Sequence, residues 1–425
     1  MMHGIMDSAL CYIDPGTGSM LFTLLIGAVS TAYFMFRKLA MRAKFLVAGG
    51  RSANADTSRH PIVIFSDDKR YWNVFKPICD ELELRGQAAV YWTASADDPA
   101  LDESYEHVQC EFIGEGNQAY ARLNVMSASI CLATTPGLGV YQWKRSKEVG
   151  EYVHIFHSVG TAAGYRMFGL DFYDSVLIAG DYQVQEIRAL EELRGIQHKN
   201  LARVGCTYLD AMMDRARALP TAKDHPFCVL VAPSWGPTSL LCAYGERLLD
   251  ALLATGYKVV VRPHPQSKTA DKEVLDRLMR AYPDAENFSW NFDNDNFEVL
   301  ANADAMITDF SGVVFDYALV FDRPILYTEG SYVDDPYDSA WLVDQGPLWK
   351  FKTYPKLGRP LDEAQLPHVR EVLQDLVADE DLLAVRQQVR EEAWCCQGQS
   401  VKLTVDYLIA RCAVLAVDSQ NNDSE

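Results

Sequence analysis

Positive charge is scarce in this 425-residue sequence, which has 39 lysine and arginine residues, 58 aspartate and glutamate residues and a formal net charge of −19. Because contacts to phosphate backbones require a basic surface, so acidic a chain is a poor general binder of nucleic acid, and no nucleic-acid partner is expected. A polyanionic small ligand would need a local basic cluster. The length exceeds the size at which one hydrophobic core keeps growing, so two domains are expected.

Familiar metal-binding and nucleotide-binding spacings are also missing. The ten cysteines are scattered without a C-x-x-C pair, and the only adjacent ones are Cys395 and Cys396. This predicts reduced thiols in a cytosolic domain. No G-x-G-x-x-G, G-x-x-x-x-G-K-[ST] or G-x-S-x-G occurs, which disfavours an NAD site, a P-loop and an α/β-hydrolase. No carboxylate cluster suggests a metal, so neither a metal nor a cofactor is expected.

An uncharged stretch stands near the N-terminus. Residues 17–36 carry no charge, and as a helix they would span about 30 Å, the thickness of a bilayer core. Arg37, Lys38, Arg42 and Lys44 follow, and positive residues stay on the cytoplasmic side. The pattern predicts a single-pass transmembrane helix in the inner (cytoplasmic) membrane, with the N-terminus outside and the remainder inside. A cleaved signal peptide, whose positive charge would precede the apolar run, and a buried core helix are the alternatives.

From residue 61 onward, short apolar runs alternate with helical segments, a pattern typical of parallel sheets with helices on both faces. The alternation breaks at residues 219–226 and then restarts. We therefore predict an α/β protein of GT-B-like architecture, in which two Rossmann-type, doubly wound parallel-sheet lobes face a cleft. The predicted strands are residues 62–66, 88–93, 129–133, 152–156 and 175–179 in the first lobe and 227–232, 258–262, 286–290, 305–308 and 325–327 in the second.

The domain limits follow from the same pattern. Residues 1–45 are predicted to be the N-terminal segment and anchor, 46–60 a linker, 61–222 the N-terminal lobe, and 223–412 the C-terminal lobe with C-terminal helices. Residues 413–425 are acidic and polar and are predicted to be disordered. Because ligands of open parallel sheets bind outside the carboxyl ends of the strands, functional residues are expected just after strands.

Two histidines follow predicted strands. His157 precedes Gly160 and Thr161, and a neutral imidazole at such a place can take a proton from a hydroxyl. A core histidine with satisfied hydrogen bonds is the alternative. His264 stands between two prolines and closely follows Arg262, whose planar guanidinium can bind phosphate. A proline-shaped turn with a surface arginine would produce the same pattern.

A third strand ends in Thr308 and Asp309, and a turn through Ser311 and Gly312 opens the next helix. The unpaired N–H groups and positive dipole end of a helix start can bind phosphate. Ser311 or Asp309 could equally be an N-cap. The end of the first strand of the second lobe adds two candidates that either line the cleft or pack structurally, Ser234 and Trp235.

Together and in this order, these elements resemble the CDP-glycerol glycerophosphotransferase family, which includes the teichoic acid primases and polymerases. The resemblance covers roughly residues 150–330, and its most specific part is the helix that follows the last element. The elements are His157-Ser158-Val159-Gly160-Thr161, Val204-Gly205-Cys206-Thr207-Tyr208-Leu209-Asp210, Ala232-Pro233-Ser234-Trp235, Arg262-Pro263-His264-Pro265 and Ile307-Thr308-Asp309-Phe310-Ser311.

The resemblance implies a membrane-associated transferase. An acceptor hydroxyl would attack the donor phosphorus next to a polyol, and CMP would leave. His157 would be the general base, and His264 would act with the phosphate-binding groups of the C-terminal, donor lobe. The implied donor residues are Arg262, Thr308, Asp309, Ser311, Gly312, Ser234 and Trp235, and the acceptor-side candidates in the N-terminal lobe are Gly160, Thr161 and Arg166.

The implied partners are a CDP-activated polyol, with glycerol favoured, or another nucleotide-activated donor, a lipid-linked or polymeric envelope acceptor, and the membrane. This chain departs from the family where Ser158 and Val159 separate His157 from Gly160 and no lysine follows. A GT-B glycosyltransferase that uses a nucleotide sugar and an inactive envelope scaffold are the alternative functions. The sequence leaves open the donor's alcohol, the acceptor, single addition or polymerisation, and the oligomeric state.

Overall fold

A computed structural model describes residues 59–220, 225–329 and 334–422. The predicted anchor, most of the predicted linker and part of the predicted break between the lobes lie outside these residues. Among the described helices, none combines the length and the apolar character that a bilayer crossing requires. The described chain is built around two parallel sheets, one in each lobe.

The N-terminal lobe contains a seven-stranded parallel sheet in the order β3-β2-β1-β4-β5-β6-β7. Its central strand β1 pairs with β2 on one side and β4 on the other, so that Val63 lies between Val90 and Cys131. Helices cover both faces, which is why the inner strands are mostly apolar. The strands are β1 (His60–Ser66), β2 (Ala89–Thr93), β3 (Val108–Phe112), β4 (Ala128–Ala133), β5 (Val149–Ile155), β6 (Ser175–Ile178) and β7 (Asn200–Arg203).

The C-terminal lobe repeats this plan with a six-stranded parallel sheet in the order β10-β9-β8-β11-β12-β13. Counted within the lobe, this is the 3-2-1-4-5-6 order of the doubly wound fold. The two-lobed, doubly wound prediction is therefore confirmed. The strands are β8 (Cys228–Ala232), β9 (Lys258–Val261), β10 (Phe288–Trp290), β11 (Ala305–Thr308), β12 (Ile325–Tyr327) and β13 (Gly358–Pro360).

Amphipathic helices connect the strands. In α1, apolar residues recur every three or four positions and bury Phe75, Ile78 and Leu82 against the sheet. The helices are α1 (Trp72–Leu84), α2 (Asn117–Leu123), α3 (Asp181–Arg194), α4 (Thr207–Arg217), α5 (Leu240–Ala243), α6 (Gly245–Ala254), α7 (Ser267–Ala270), α8 (Lys272–Ala281), α9 (Phe297–Ala301), α10 (Val313–Phe321), α11 (Trp349–Leu357), α12 (Val369–Val377), α13 (Glu380–Ala393) and α14 (Ser400–Asn422).

Every predicted strand is present, with ends that shift by up to three residues. The sequence pattern missed β3, β7 and β13, each of which lies at the edge of its sheet. An edge strand has a solvent-facing side and carries polar residues, so β7 reads Asn-Leu-Ala-Arg and contains no apolar run.

The chain returns to the N-terminal lobe at its end. Helix α14 buries Val405 and Leu408 in the core of that lobe, whereas the sequence pattern assigned the C-terminal helices to the C-terminal lobe. The helix also continues to Asn422, through most of the segment predicted to be disordered. Buried Asp210 of α4 holds the start of α14 in place. Its carboxylate accepts the backbone N–H groups of Gly398 at 2.8 Å and Ser400 at 2.9 Å.

A second buried carboxylate joins the lobes directly. Asp338, in the segment between β12 and β13, accepts N–H groups from Phe168 and Gly169 of the N-terminal lobe. Asp338 also pairs with Arg194 at the end of α3, and these two side chains are 1% and 4% exposed. The guanidinium lies 4.9 Å from the ring centre of Phe168 and 5.1 Å from that of Trp341. We call these five residues the interlobe latch.

Replacing Asp338 with alanine should destabilise the protein strongly, because Arg194 would keep a buried positive charge and lose a main partner. Breaking one side of such a pair costs about 3–5 kcal/mol, and the lower end is expected here because Asp171 still pairs with Arg194. The free energy of unfolding would be measured by urea denaturation at pH 7. Asp276→Ala is the matched control, since Asp276 pairs with Lys272 on the surface and should contribute about 0–1 kcal/mol. Equal stability of the two variants would contradict the latch.

Candidate active site

The two sheets bring their topological switch points to one cleft. In each lobe the strand order reverses between the first and fourth strands, β1 and β4 in one and β8 and β11 in the other. Loops that leave these strands diverge, and the crevice between them is where such sheets bind ligands. The cleft has a volume of about 510 Å³ and is lined by residues of both lobes.

Five of the predicted site residues line this cleft. Both histidines are among them, although they come from different lobes. The wall of the C-terminal lobe adds a guanidinium and the start of helix α10. The five residues are His157, Arg262, His264, Ser311 and Gly312.

His157 follows β5 and is held from two sides. Its Nδ1 lies 3.2 Å from the Oγ1 of Thr134, which comes just after β4. Its ring centre is 5.0 Å from that of Tyr71. The neighbouring Thr135 donates a hydrogen bond of 2.9 Å to Asp67, just after β1. The ends of β1, β4 and β5 therefore fix the position of this imidazole.

His264 and Arg262 lie on the opposite wall. The Nδ1 of His264 accepts the backbone N–H of Gln266 at 3.1 Å, so in the neutral ring Nε2 carries the proton and can donate it. Arg262 donates to the side chain of Asn291 and to the carbonyl of Asp293 at 2.8 Å. These contacts hold the guanidinium at the cleft wall.

Burial keeps both histidines neutral at pH 7. Burial first, and then nearby Arg70, lower the pKa of His157 to about 4. Burial and then Arg70 also lower the pKa of His264 to about 4, against a smaller opposite effect of Asp271. Arg70 itself lines the cleft and acts electrostatically on both imidazoles.

Three predicted donor residues instead build the floor beneath the cleft. Asp309 is fully buried, and its two oxygens accept the backbone N–H groups of Ser234 at 2.8 Å and Leu240 at 2.7 Å. Thr308 is also fully buried and donates to the carbonyl of Ala232 at 2.7 Å. These bonds fasten the loop after β8 to the end of β11, so Thr308, Asp309 and Ser234 are bracing residues and do not line the cleft.

The remaining candidates lie beside the cleft. Thr161 donates to buried Glu186 at 2.6 Å, and the carbonyl of Gly160 accepts from Gln183. Trp235 is exposed, with its ring centre 6.3 Å from that of His264. Arg166 is exposed and pairs through its backbone with Tyr337 in the latch region. None of these four is among the residues that line the cleft.

Five further residues line the cleft that were not predicted from the sequence, and only two of them followed a strand end. Arg70 and Tyr71 follow β1, and the rule of looking after strand ends applies to them as well. Tyr208, Asn296 and Asp316 stand inside or just before helices and carried no such signal. All five line the cleft.

One group of side chains in the described residues has the spacing of a possible metal site, Glu83, Glu106 and His107. It lies at the end of α1, outside the cleft. The carboxylate of Glu83 accepts the backbone N–H groups of Glu106 and His107 at 2.8 and 2.7 Å. Through these bonds Glu83 holds the residues that lead into β3, which is a structural role.

The fold and the cleft define a class of two-lobed α/β proteins with a ligand site between the lobes. The sequence profile of the family described as CDP-glycerol:poly(glycerophosphate) glycerophosphotransferase matches residues 54–337, which is more than half of the chain. The chain therefore belongs to this family, and the resemblance inferred from its motifs is confirmed. A comparison with curated proteins finds no match.

Solved structures show the same fold. The wall teichoic acid polymerase TagF matches with a TM-score of 0.53 and 15% identity, over 89% of this chain and 97% of that one. A UDP-GlcNAc 2-epimerase of Methanocaldococcus jannaschii matches with a TM-score of 0.50 and 11% identity, over 82% of this chain and 99% of that one. At these identities the likeness concerns the GT-B-like arrangement of the lobes.

The depressed histidine pKa values predict a pH dependence of stability. Unfolded histidine has a pKa of 6.5, and the native values for His157 and His264 are about 4. Between these values the unfolded chain binds protons that the native chain does not, so each imidazole lowers stability as pH falls through this window. We expect His157→Gln and His264→Gln to reduce the stability lost between pH 7 and pH 5, as measured by urea denaturation. Exposed His198→Gln is the control, and equal losses in all three variants would contradict burial of the imidazoles.

Proposed function

We propose that this protein transfers a polyol phosphate, with glycerol phosphate favoured, from a CDP-activated donor to a hydroxyl of a cell-envelope glycolipid or polymer, and releases CMP. Membership of the family supports the reaction class. One observation supports placing this reaction in the cleft. Two neutral histidines, one from each lobe, line it together with an arginine and the start of a helix.

The C-terminal wall suits a diphosphate. The backbone N–H groups at the start of α10, beside Ser311 and Gly312, and the positive end of that helix favour negative charge. Arg262 offers a fixed guanidinium, and His264 offers an Nε2–H donor. Donors placed in advance around the leaving phosphate stabilise the charge that builds up as CMP departs.

The N-terminal wall suits the proton transfer. When the Nδ1–H of His157 donates to Thr134, the lone pair of Nε2 is free to accept a proton from the acceptor hydroxyl. The low pKa of His157 leaves the imidazole unprotonated at pH 7. The attacking oxygen would then enter from the N-terminal lobe while the CDP moiety is held by the C-terminal lobe.

We further propose that residues 17–36 anchor the enzyme in the cytoplasmic membrane, with the lobes on the cytoplasmic side. The uncharged run and the basic residues that follow it support this assignment. An acceptor on a lipid carrier is confined to one leaflet, so an anchor would raise the local concentration of enzyme at its substrate.

The central test is the release of CMP from CDP-glycerol by the full-length chain in the presence of a membrane acceptor fraction. His157→Ala should lower kcat by about 10²–10⁴-fold, the contribution of a positioned general base, and should leave donor affinity almost unchanged. Arg262→Ala should mainly weaken donor binding, because the arginine contacts phosphate in both the ground state and the transition state.

The control variant for both is His198→Gln, which changes an exposed histidine outside the cleft. Undiminished turnover by a folded His157→Ala protein would remove the general-base assignment. Release of UDP or GDP from nucleotide sugars, with no reaction of CDP-glycerol, would replace the proposed reaction with glycosyl transfer.

Removing residues 1–45 tests the anchor. The truncated protein should stay in the supernatant when it is mixed with anionic phospholipid vesicles and sedimented, whereas the full-length chain should pellet with them. The described lobes should keep the circular dichroism and melting temperature of the full-length protein. Equal sedimentation of both proteins would show that another surface binds the membrane and would exclude residues 17–36 as the main anchor.

A further inference from the structure

A second cavity opens in the N-terminal lobe, apart from the cleft between the lobes. Its volume is about 360 Å³, within the range of about 300–1,000 Å³ that small-molecule sites have. It lies at the carboxyl ends of β1, β2 and β3, on the side of β1 away from β4. Of the described residues, none lines both cavities. Because open parallel sheets bind ligands outside these strand ends, the cavity is placed as a binding site.

The lining of this cavity is acidic. Of its ten lining residues, three carry carboxyl groups and none is basic. The acids are Asp67 after β1, Asp97 in the loop after β2 and Glu115 in the loop after β3. Lys69 pairs with Asp97 on the exposed side and offsets one of these charges. A phosphate group, which is itself negative, is therefore disfavoured here, whereas guanidinium groups line the neighbouring cleft.

Asp67 supplies an acceptor that the protein uses only in part. Its side chain is partly buried, and burial raises the pKa of the carboxyl, against a smaller opposite effect of the hydrogen bond from Thr135. Thr135 donates to Oδ1 at 2.9 Å. In the described chain no other residue donates a hydrogen bond to Asp67, so Oδ2 can accept from a hydroxyl of a ligand.

Two hydroxyl groups add to the polar lining. Tyr120 of α2 is partly buried, and burial, followed by the nearby charge of Asp67, raises the pKa of its hydroxyl. Ser95 follows β2, and its Oγ accepts the backbone N–H of Lys69 at 3.0 Å, which leaves its O–H to donate. The rest of the wall is small or apolar, and the carbon skeleton of a ligand can pack against it. It consists of Phe65, Ala94, Ala96, Gly116 and Ala119.

The spacing of the acids distinguishes a hydroxylated ligand from a cation. Ligand atoms around one metal ion must converge, and in the described residues the group with that spacing is the one at Glu83, outside this cavity. The acids of the cavity follow three different strands, and neighbouring strands lie about 4.8 Å apart. A sugar or polyol carries hydroxyls at several positions, so separated acceptors suit it better than they suit a point charge.

The cavity adjoins the imidazole that faces the cleft from this lobe. Thr135 holds Asp67, and adjacent Thr134 lies 3.2 Å from Nδ1 of His157. Adjacent Cα atoms are about 3.8 Å apart, so one strand end holds both the cavity wall and the imidazole. The ring of Tyr71 packs 5.0 Å from that of His157, and burial and then the charge of Asp67 raise the pKa of its hydroxyl to about 12. A ligand with one unit in the cavity could therefore present its next hydroxyl near His157.

We propose that this cavity binds an uncharged, hydroxyl-rich unit of the acceptor, such as a sugar ring, with Asp67 accepting one of its hydroxyls. This proposal rests on the proposed function, because it takes His157 to activate the acceptor. It also narrows that function. An acidic cavity beside the base favours a glycan acceptor over a growing polyol phosphate chain, whose phosphates it would repel.

The first test measures binding to the full-length protein at pH 7 by saturation-transfer NMR, which detects weak ligands. The probes are the methyl glycosides of glucose, galactose, mannose and N-acetylglucosamine, their 6-phosphates, and methyl glucosaminide as a cationic analogue. At least one neutral glycoside should bind, and its 6-phosphate should bind at least tenfold more weakly. Asp67→Asn should weaken the neutral glycoside about 10- to 100-fold, the contribution of a hydrogen bond to a charged group.

A second variant tests the cavity without changing its charge. Ala96 is exposed at the cavity, and Ala96→Phe would fill the space from that side. It should abolish glycoside binding, and it keeps the proposal testable should Asp67→Asn not fold. In the CMP-release assay it should raise the KM for the acceptor at least tenfold and the KM for CDP-glycerol less than twofold. Asp102→Asn, which changes an exposed acid of the same lobe outside the cavity, is the control for glycoside binding.

Three contrary outcomes are distinct. A 6-phosphate or methyl glucosaminide that binds more tightly than every neutral glycoside, and is lost in Ala96→Phe, would assign the cavity to a charged ligand and overturn the proposal. Failure of all neutral glycosides to bind, or affinities of both cavity variants within twofold of the wild type, would also overturn it. Neutral glycosides that bind in the cavity of a protein that releases no CMP would overturn the proposed function, and with it the acceptor role, but not the sugar site.

Discussion

The buried carboxylate of Asp338 joins the two lobes that form the cleft, and that of Asp210 holds the start of the C-terminal helix. Asp338 receives N–H groups and a guanidinium from the N-terminal lobe, and Asp210 receives the N–H groups that bring α14 back onto that lobe. Apolar residues of both lobes form a continuous core beneath, with Trp394 fully packed inside it. Since His157 and His264 come from opposite lobes, their common cleft depends on these contacts and not on either sheet alone.

The strand order of each lobe decides which of its residues reach the cleft. At a switch point the loops separate, so backbone N–H groups and side chains after the first and fourth strands are free to face a ligand. In the N-terminal lobe these positions supply Arg70 and Thr134, which surround His157. In the C-terminal lobe they supply Ser311 and the start of α10. The same topology, used twice, thus places an imidazole on one wall of the cleft and a helix start on the other.

Sequence reasoning reached the architecture and part of the site for one physical reason, that buried parallel strands are apolar and functional residues follow them. It failed where that signal is absent. The edge strand β7 carries polar residues on its open side, and Asp316 lies within a helix that otherwise reads as core. Asp309 shows a second difference between the sequence pattern and the structure. It follows a strand, but both of its oxygens are taken by backbone N–H groups, and a linear pattern contains no information about that pairing.

The arrangement of charge in the cleft follows from burial acting in opposite directions on bases and acids. Burial lowers the pKa of both His157 and His264 to about 4 and so favours their neutral forms at pH 7. Burial also favours the protonated form of Asp316, since it raises the pKa of that carboxyl to about 7. Arg70 and Arg262 contribute guanidinium groups to the lining of the cleft. In the described cleft, positive charge therefore comes from guanidinium groups, while burial reduces the charge of the imidazoles and of the Asp316 carboxyl group.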